Sequence, residues 1–137
     1  MATRSTIAIE HEDGTVEQVY CHFDGYLSHN GKILQEHYTD RSKVEQLVAL
    51  GDMSILGNEI GEKQDFDNPV NGWTLYYGRD RGEDNTAPCN FENRKSYEKL
   101  LDTQGYEYIF TKENVWMVDY GHGWKNLEEE LLVFATD

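Results

Sequence analysis

Long apolar runs are missing from this sequence. No stretch approaches the ~20 consecutive apolar residues that a helix needs to cross a bilayer, so a helical membrane span is not expected. The opening MATRSTIAIEHEDG also lacks the basic-then-apolar layout of a secretory signal, because charge resumes at Glu10; a cytoplasmic location is expected. Proline is scarce, two residues against twelve glycines, which implies many turns and few rigid linkers. Cysteine is scarce too. Cys21 and Cys89 stand far apart with no CxxC spacing, which argues against a disulfide framework or a zinc ribbon. Cations are the last shortage: 12 Lys and Arg face 26 Asp and Glu, for a net charge of −14. Direct binding to a nucleic-acid duplex is disfavoured, since affinity there comes from cations displacing counterions. An anionic membrane is disfavoured for the same reason. An acidic surface suits solubility, or docking onto a basic protein groove.

What is present suffices for one packed domain spanning residues 1–137, since ordinary domains run to roughly 100–150 residues. Hydrophobic content is only 38%, but aromatics make up 12% and each buries a large area. The stretch STIAIEHEDGTVEQVYCHF alternates as a β-hairpin, with Asp13-Gly14 as a type I′ turn. On its return strand Val19, Cys21 and Phe23 share one face, and Tyr20 and His22 the other. Asn30 is expected to cap a short helix carrying Ile33, Leu34, His37 and Tyr38. A second helix starts at Asp40 or Ser42, buries Val44, Leu47 and Val48, and stops at Gly51.

Residues 51–72 are weakly periodic and read as loop, Trp73–Gly78 as a strand, and RDRGEDNTAPCNFEN as a long exposed loop. A short helix over Arg94–Asp102 buries Tyr97, Leu100 and Leu101. YEYIFTKENVWMVDY reads as a second hairpin turning at Lys112–Asn114. The tail WKNLEEELLVFATD fits helix or strand. The expected class is α+β: a largely antiparallel sheet with two to three short helices packed on one face.

The segment YCHFDGYLSHNG gathers a thiol, two imidazoles, a carboxylate and aromatics. The pleat points Cys21 away from His22 and Asp24, and no HxxxH or HExxH spacing occurs, so no metal centre is expected. A GxSxG elbow and a Gly-rich phosphate loop are also missing. Enzymatic activity and cofactors are not expected. LYYGRDRGEDN offers more. Arg79 and Arg81 follow a strand bearing Tyr76 and Tyr77, and guanidinium groups beside aromatic rings suit the phosphates and base of a small nucleotide. The competing reading is a self-neutralising loop of surface ion pairs, each contributing roughly 0–1 kcal/mol. Arg4 and Arg94 are further cations. His22, Asp24 and Tyr26, leaving a strand end, would supply an opposite wall of the same pocket.

Most of residues 1–83, from ATRSTIAIEHEDGTVEQVYCHFDGYL to YYGRDRGE, resembles a widespread group of small proteins encoded by tailed phages. That resemblance implies a phage accessory gene acting in an infected bacterial host. Size and the α+β reading are similar to the Thoeris anti-defence sponge proteins, oligomers that hold a cyclic ADP-ribose-type immune signal without cleaving it. No site residue is carried over from them. The expected function is therefore an anti-defence protein that sequesters a small cyclic nucleotide signal. The ligand residues would be Arg79, Arg81, Tyr77, Tyr76, His22 and Tyr26, and a homo-oligomer, at least a dimer, is expected, since a domain this small buries a ligand most readily at a subunit interface. The alternative is an acidic nucleic-acid mimic that inhibits a host defence protein such as a nuclease or CRISPR effector; the segment after residue 100 holds eight acids against two bases. A structural or morphogenetic phage component is a third reading.

Overall fold

The computed structural model describes residues 2–100, 105–121 and 123–135. Its centre is β1 (Ser5–Glu10), buried on both faces along its whole length. Ile7 and Ile9 point to one side of the sheet, Ala8 to the other. β2 (Val16–Cys21) pairs antiparallel with it, Ile7 opposite Val19. The connection is not the expected type I′ turn. That turn needs positive φ at two central residues, and here only Gly14 adopts it, at +92°. The Asp13 carboxylate instead accepts from the Thr15 amide and hydroxyl.

After β2 a single π-turn (Leu27–Gly31) runs into α1 (Lys32–His37), followed by α2 (Arg41–Ala49). Asp40 caps α2, accepting from the Ser42 amide, and Val44, Leu47 and Val48 are its buried stripe. Gly51 follows with φ +91°. Asn30 is not a cap. It is fully buried within the π-turn, and its amide donates to Ser5 Oγ, Cys21 Sγ and the Phe23 carbonyl.

The stretch read as loop contains β3 (Met53–Ile55), and the expected strand at 73–78 shortens to β4 (Leu75–Tyr76) before α3 (Tyr77–Arg81). The supposed long loop beyond holds β5 (Cys89–Phe91). α4 (Arg94–Leu100) buries Tyr97; Leu101, and the side chain of Leu100, lie outside the described residues. β6 (Tyr106–Phe110) and β7 (Trp116–Asp119) form the second hairpin, and the tail resolves into β8 (Lys125–Asn126) then α5 (Leu127–Ala135).

The fold is α+β with one mixed sheet, ordered β4-β3-β2-β1-β6-β7-β8, with β5 beside β2. Most pairings are antiparallel, but β1 runs parallel to β6 and β2 parallel to β3. One sheet face carries Ile7, Ile9, Val19, Cys21, Tyr108, Phe110, Trp116 and Val118 against α1, α2 and α5, which makes the main core. Tyr97 of α4 covers Ala8, Val16 and Ile109 on the opposite face, so helices pack on both sides. The part of that second face lying beyond α4, where Tyr20 and His22 stand, is half-buried.

Candidate functional site

Arg79 opens the expected ligand segment, and its side chain turns inward. Its Nε donates to Asp80 Oδ1, Nη1 to the Ile60 and Gly61 carbonyls, and Nη2 to the Thr74 carbonyl and Asp80 Oδ2. A guanidinium has five N–H groups, so none is left to grip a phosphate. Asp80 completes the knot by accepting from the Gln64 and Tyr76 amides. Burial pushes the Asp80 carboxyl up, and the Arg79 contacts with those two amides outweigh it, holding it below its ordinary range. This is a structural staple joining α3 to the 60–64 segment, and it replaces the phosphate-binding role expected of Arg79.

Tyr76 is corrected too. Its ring is fully buried against Met53 and the core, and its hydroxyl donates to the Leu47 carbonyl at 2.6 Å, so it offers no face for stacking. Arg81 remains at the surface. Its guanidinium lies 5.0 Å over the Phe66 ring and 5.9 Å from that of Tyr77, and pairs with Glu83 at 3.3 Å. Asp65, Asp67 and Asp80 line the shallow cleft beside it, which surrounds the one cation with anions. Tyr26 lies at the start of the π-turn, 37% exposed, with the ring of His29 for a neighbour.

His22 has a partner in Tyr20, a residue that the sequence placed correctly but gave no role, while the Tyr77 ring lies 5.7 Å from that of Phe66. Tyr20 and His22 project from the same face of β2, and the Tyr20 hydroxyl shares a 2.6 Å hydrogen bond with His22 Nδ1. Arg4 stands at the start of β1, Thr6 being directly opposite Tyr20. Burial raises the pKa of the Tyr20 phenol; the Arg4 guanidinium lowers it, while Tyr77 and Asp52 raise it, so all three stand within electrostatic reach. Asp52 fixes the base of the group. One carboxylate oxygen accepts the Tyr20 amide, and its own carbonyl accepts the Tyr77 amide. Burial raises the Asp52 pKa. Phe23 packs edge-on against His22, with ring centroids 4.5 Å apart, and is 40% exposed.

No family model matches this chain, and neither a curated protein nor a solved structure matches it. The site therefore stands on geometry alone. Among the described residues, no three of His, Cys, Asp and Glu group as metal ligands. Cys21, adjacent in sequence, faces the other way: fully buried, its thiol pushed up to about 12 by desolvation and held between Asn30 and the Phe23 carbonyl. Arg94, the fourth cation weighed, lies elsewhere, beside Glu10, Glu98 and the Trp124 ring.

The arrangement is an imidazole held between a phenol and a phenyl ring at the end of β2, with Arg4 and Tyr77 within electrostatic reach of the phenol. Period-2 alternation finds Tyr20 with His22, and the strand start finds Arg4. Nothing in the sequence points to Asp52, whose part depends on β3 lying beside Cys21.

Proposed function

We propose that the protein binds and sequesters a small nucleotide-type anion without cleaving it, in phage counter-defence. The observation that carries this reading is the Tyr20–His22 hydrogen bond at the end of β2, with Phe23 edge-on against the imidazole; Arg4 and Tyr77, within electrostatic reach of Tyr20, complete the proposed site. Arg4 is exposed and supplies phosphate-binding donors; His22, with one ring nitrogen shared with Tyr20, has the other to offer; Tyr77, Tyr20 and Phe23 supply ring faces for a base. Holding without turnover is supported by the locked thiol of Cys21, which is no nucleophile at neutral pH.

The test is native mass spectrometry of the protein purified from bacteria, followed by titration with a panel of cyclic nucleotides and ADP-ribose cyclic isomers. The expected result is an intact nucleotide, recovered unchanged, with affinity falling at least ~10-fold in Arg4→Ala and His22→Ala, the loss of one charge-assisted contact each. Arg4 is exposed, so its variant keeps its melting temperature. A cleaved product, or indifference to the whole panel, overturns the reading.

A second reading, docking onto a basic protein groove, is favoured by a different observation. The acids outnumber the cations 26 to 12, and three of the cations turn inward: Arg79 as above, Arg41 onto the Glu10 and Thr111 carbonyls and Asn114, Lys43 onto the His37 and Asn58 carbonyls. Salt separates the two. Docking to a basic partner weakens steeply as salt rises, while a nucleotide held between rings changes far less.

A further inference from the structure

On the helical side of the sheet, α1 and α5 leave a groove of about 400 Å³ between them, lined by Leu27, Lys32, Glu36, Glu128, Leu131 and Leu132. Leu132 is 64% exposed and the adjacent Val133 58%, the two most exposed large apolar residues described. A 9-residue helix that buries Leu127 on the core has no need of apolar residues on its outer side. Hydrocarbon left in water at this density marks a contact surface.

The rim says what the contact is with. Lys32 and Glu36 are both exposed and one helical turn apart, yet among the described residues they form no ion pair with each other or with any other group. Glu128 on the facing helix accepts only a long hydrogen bond from Gln35. The groove thus presents one unpaired cation and two carboxylates around an apolar floor. A cationic helix would meet Lys32 and an acidic one would meet Glu36 and Glu128. A second copy of the same groove, turned by a two-fold axis, brings both signs of charge and can set Lys32 of each copy against Glu36 or Glu128 of the other.

We infer that the α1–α5 groove is the interface of a two-fold symmetric homodimer. Leu132 of each copy enters the floor formed by Leu27 and Leu131 of the other, and Lys32 of each faces Glu36 and Glu128 across the axis. This contact lies on the opposite sheet face from Tyr20 and His22, so it holds whether or not that face binds a nucleotide.

Its energetics carry an unusual sign. Two chains of net charge −14 repel each other at long range, a repulsion that outweighs the Lys32 pairs at the rim, while the floor of the contact is apolar. Salt screens the repulsion and leaves the apolar attraction, so the dimer tightens as salt rises.

Sedimentation velocity of the full chain tests this, at about 0.1 M and about 1 M salt, where the Debye length is ~10 Å and ~3 Å. The expected result is a monomer–dimer equilibrium shifted toward dimer at high salt. Leu132→Glu should raise the dissociation constant at least ~10-fold with an unchanged circular dichroism spectrum, since the residue is exposed. Lys32→Glu should weaken the dimer, and Lys32→Glu with Glu36→Lys should restore it. A chain that stays monomeric at both salts, or a dimer indifferent to Leu132→Glu and Lys32→Glu, overturns the inference.

Discussion

Arg79 and Asp80 illustrate how a charged pair written in a surface-like sequence becomes internal. The Asp80 side chain is fully covered and that of Arg79 is 13% exposed. Removing one partner leaves the other charge buried without compensation, a loss of ~3–5 kcal/mol. Arg79→Ala should therefore lower the unfolding free energy from urea denaturation by that much, whereas Arg81→Ala, at a 54% exposed ion pair, should cost no more than ~1 kcal/mol. Acid supplies the matching check. Asp80 has a depressed folded-state pKa, so its contribution is fully present above the unfolded value of ~3.9 and is lost as pH falls through the lower folded value. The stability gap between wild type and Asp80→Asn should narrow across that window in urea titrations at stepped pH. None of this was legible in RDRGED. The acceptors that draw Arg79 inward are mostly carbonyls of Ile60, Gly61 and Thr74, and a backbone carbonyl leaves no mark in a sequence. By contrast, the inward Cys21 and outward Tyr20 and His22 followed from the two-residue period of the strand, because burial of one face fixes register; Phe23, expected on the inward face with Cys21, lies past the end of β2 and packs on His22 instead.

At the scale of elements, the long amphipathic segments could be read and the very short ones could not. α2 announced itself by a cap and a stripe, and both hairpins by alternation. β3 and β4 are three and two residues long, too short for any period to form. What places them is the neighbouring edge of β2, not local preference. The turn after β2 shows the same dependence. Its conformation is held by Asn30, which links the π-turn to β1 through Ser5 and to the end of β2 through Cys21 and Phe23. Gly25 lets β1 approach from the other side: a Cβ there would stand 2.7 Å from Ser5 Cβ and 2.8 Å from the Arg4 carbonyl oxygen. Asn30→Ala should strand buried partners and cost ~1–3 kcal/mol, measured by chemical denaturation. Disorder at this joint would displace Arg4 as well, so the same variant should weaken nucleotide binding more than its distance from Tyr20 suggests.

For the whole molecule, 26 acids against 12 Lys and Arg leave acids to dominate the exterior. Self-repulsion of this kind opposes compactness, and screening relieves it. The melting temperature should rise between about 0.1 M and about 1 M salt, and it should do so in Leu132→Glu as well, which separates the effect from dimerisation. A melting temperature indifferent to salt would mean that the acids are too dispersed to repel. The α+β class was accessible from composition and pattern. The parallel pairing of β1 with β6 was not, because it joins opposite ends of the chain.

That pairing also sets a timetable. The first hairpin leaves the ribosome early, but the second edge of β1 has no neighbour until Tyr106 opposite Ser5 has been made. At ~5–20 residues per second, synthesis of the roughly 100 intervening residues takes ~5–20 s. Throughout that interval the nascent chain carries an unpaired STIAIE edge with the β-propensity that invites pairing with another chain. Completion of the sheet is in this sense a late, post-translational event, and a chain stalled before residue 106 is the form most open to aggregation.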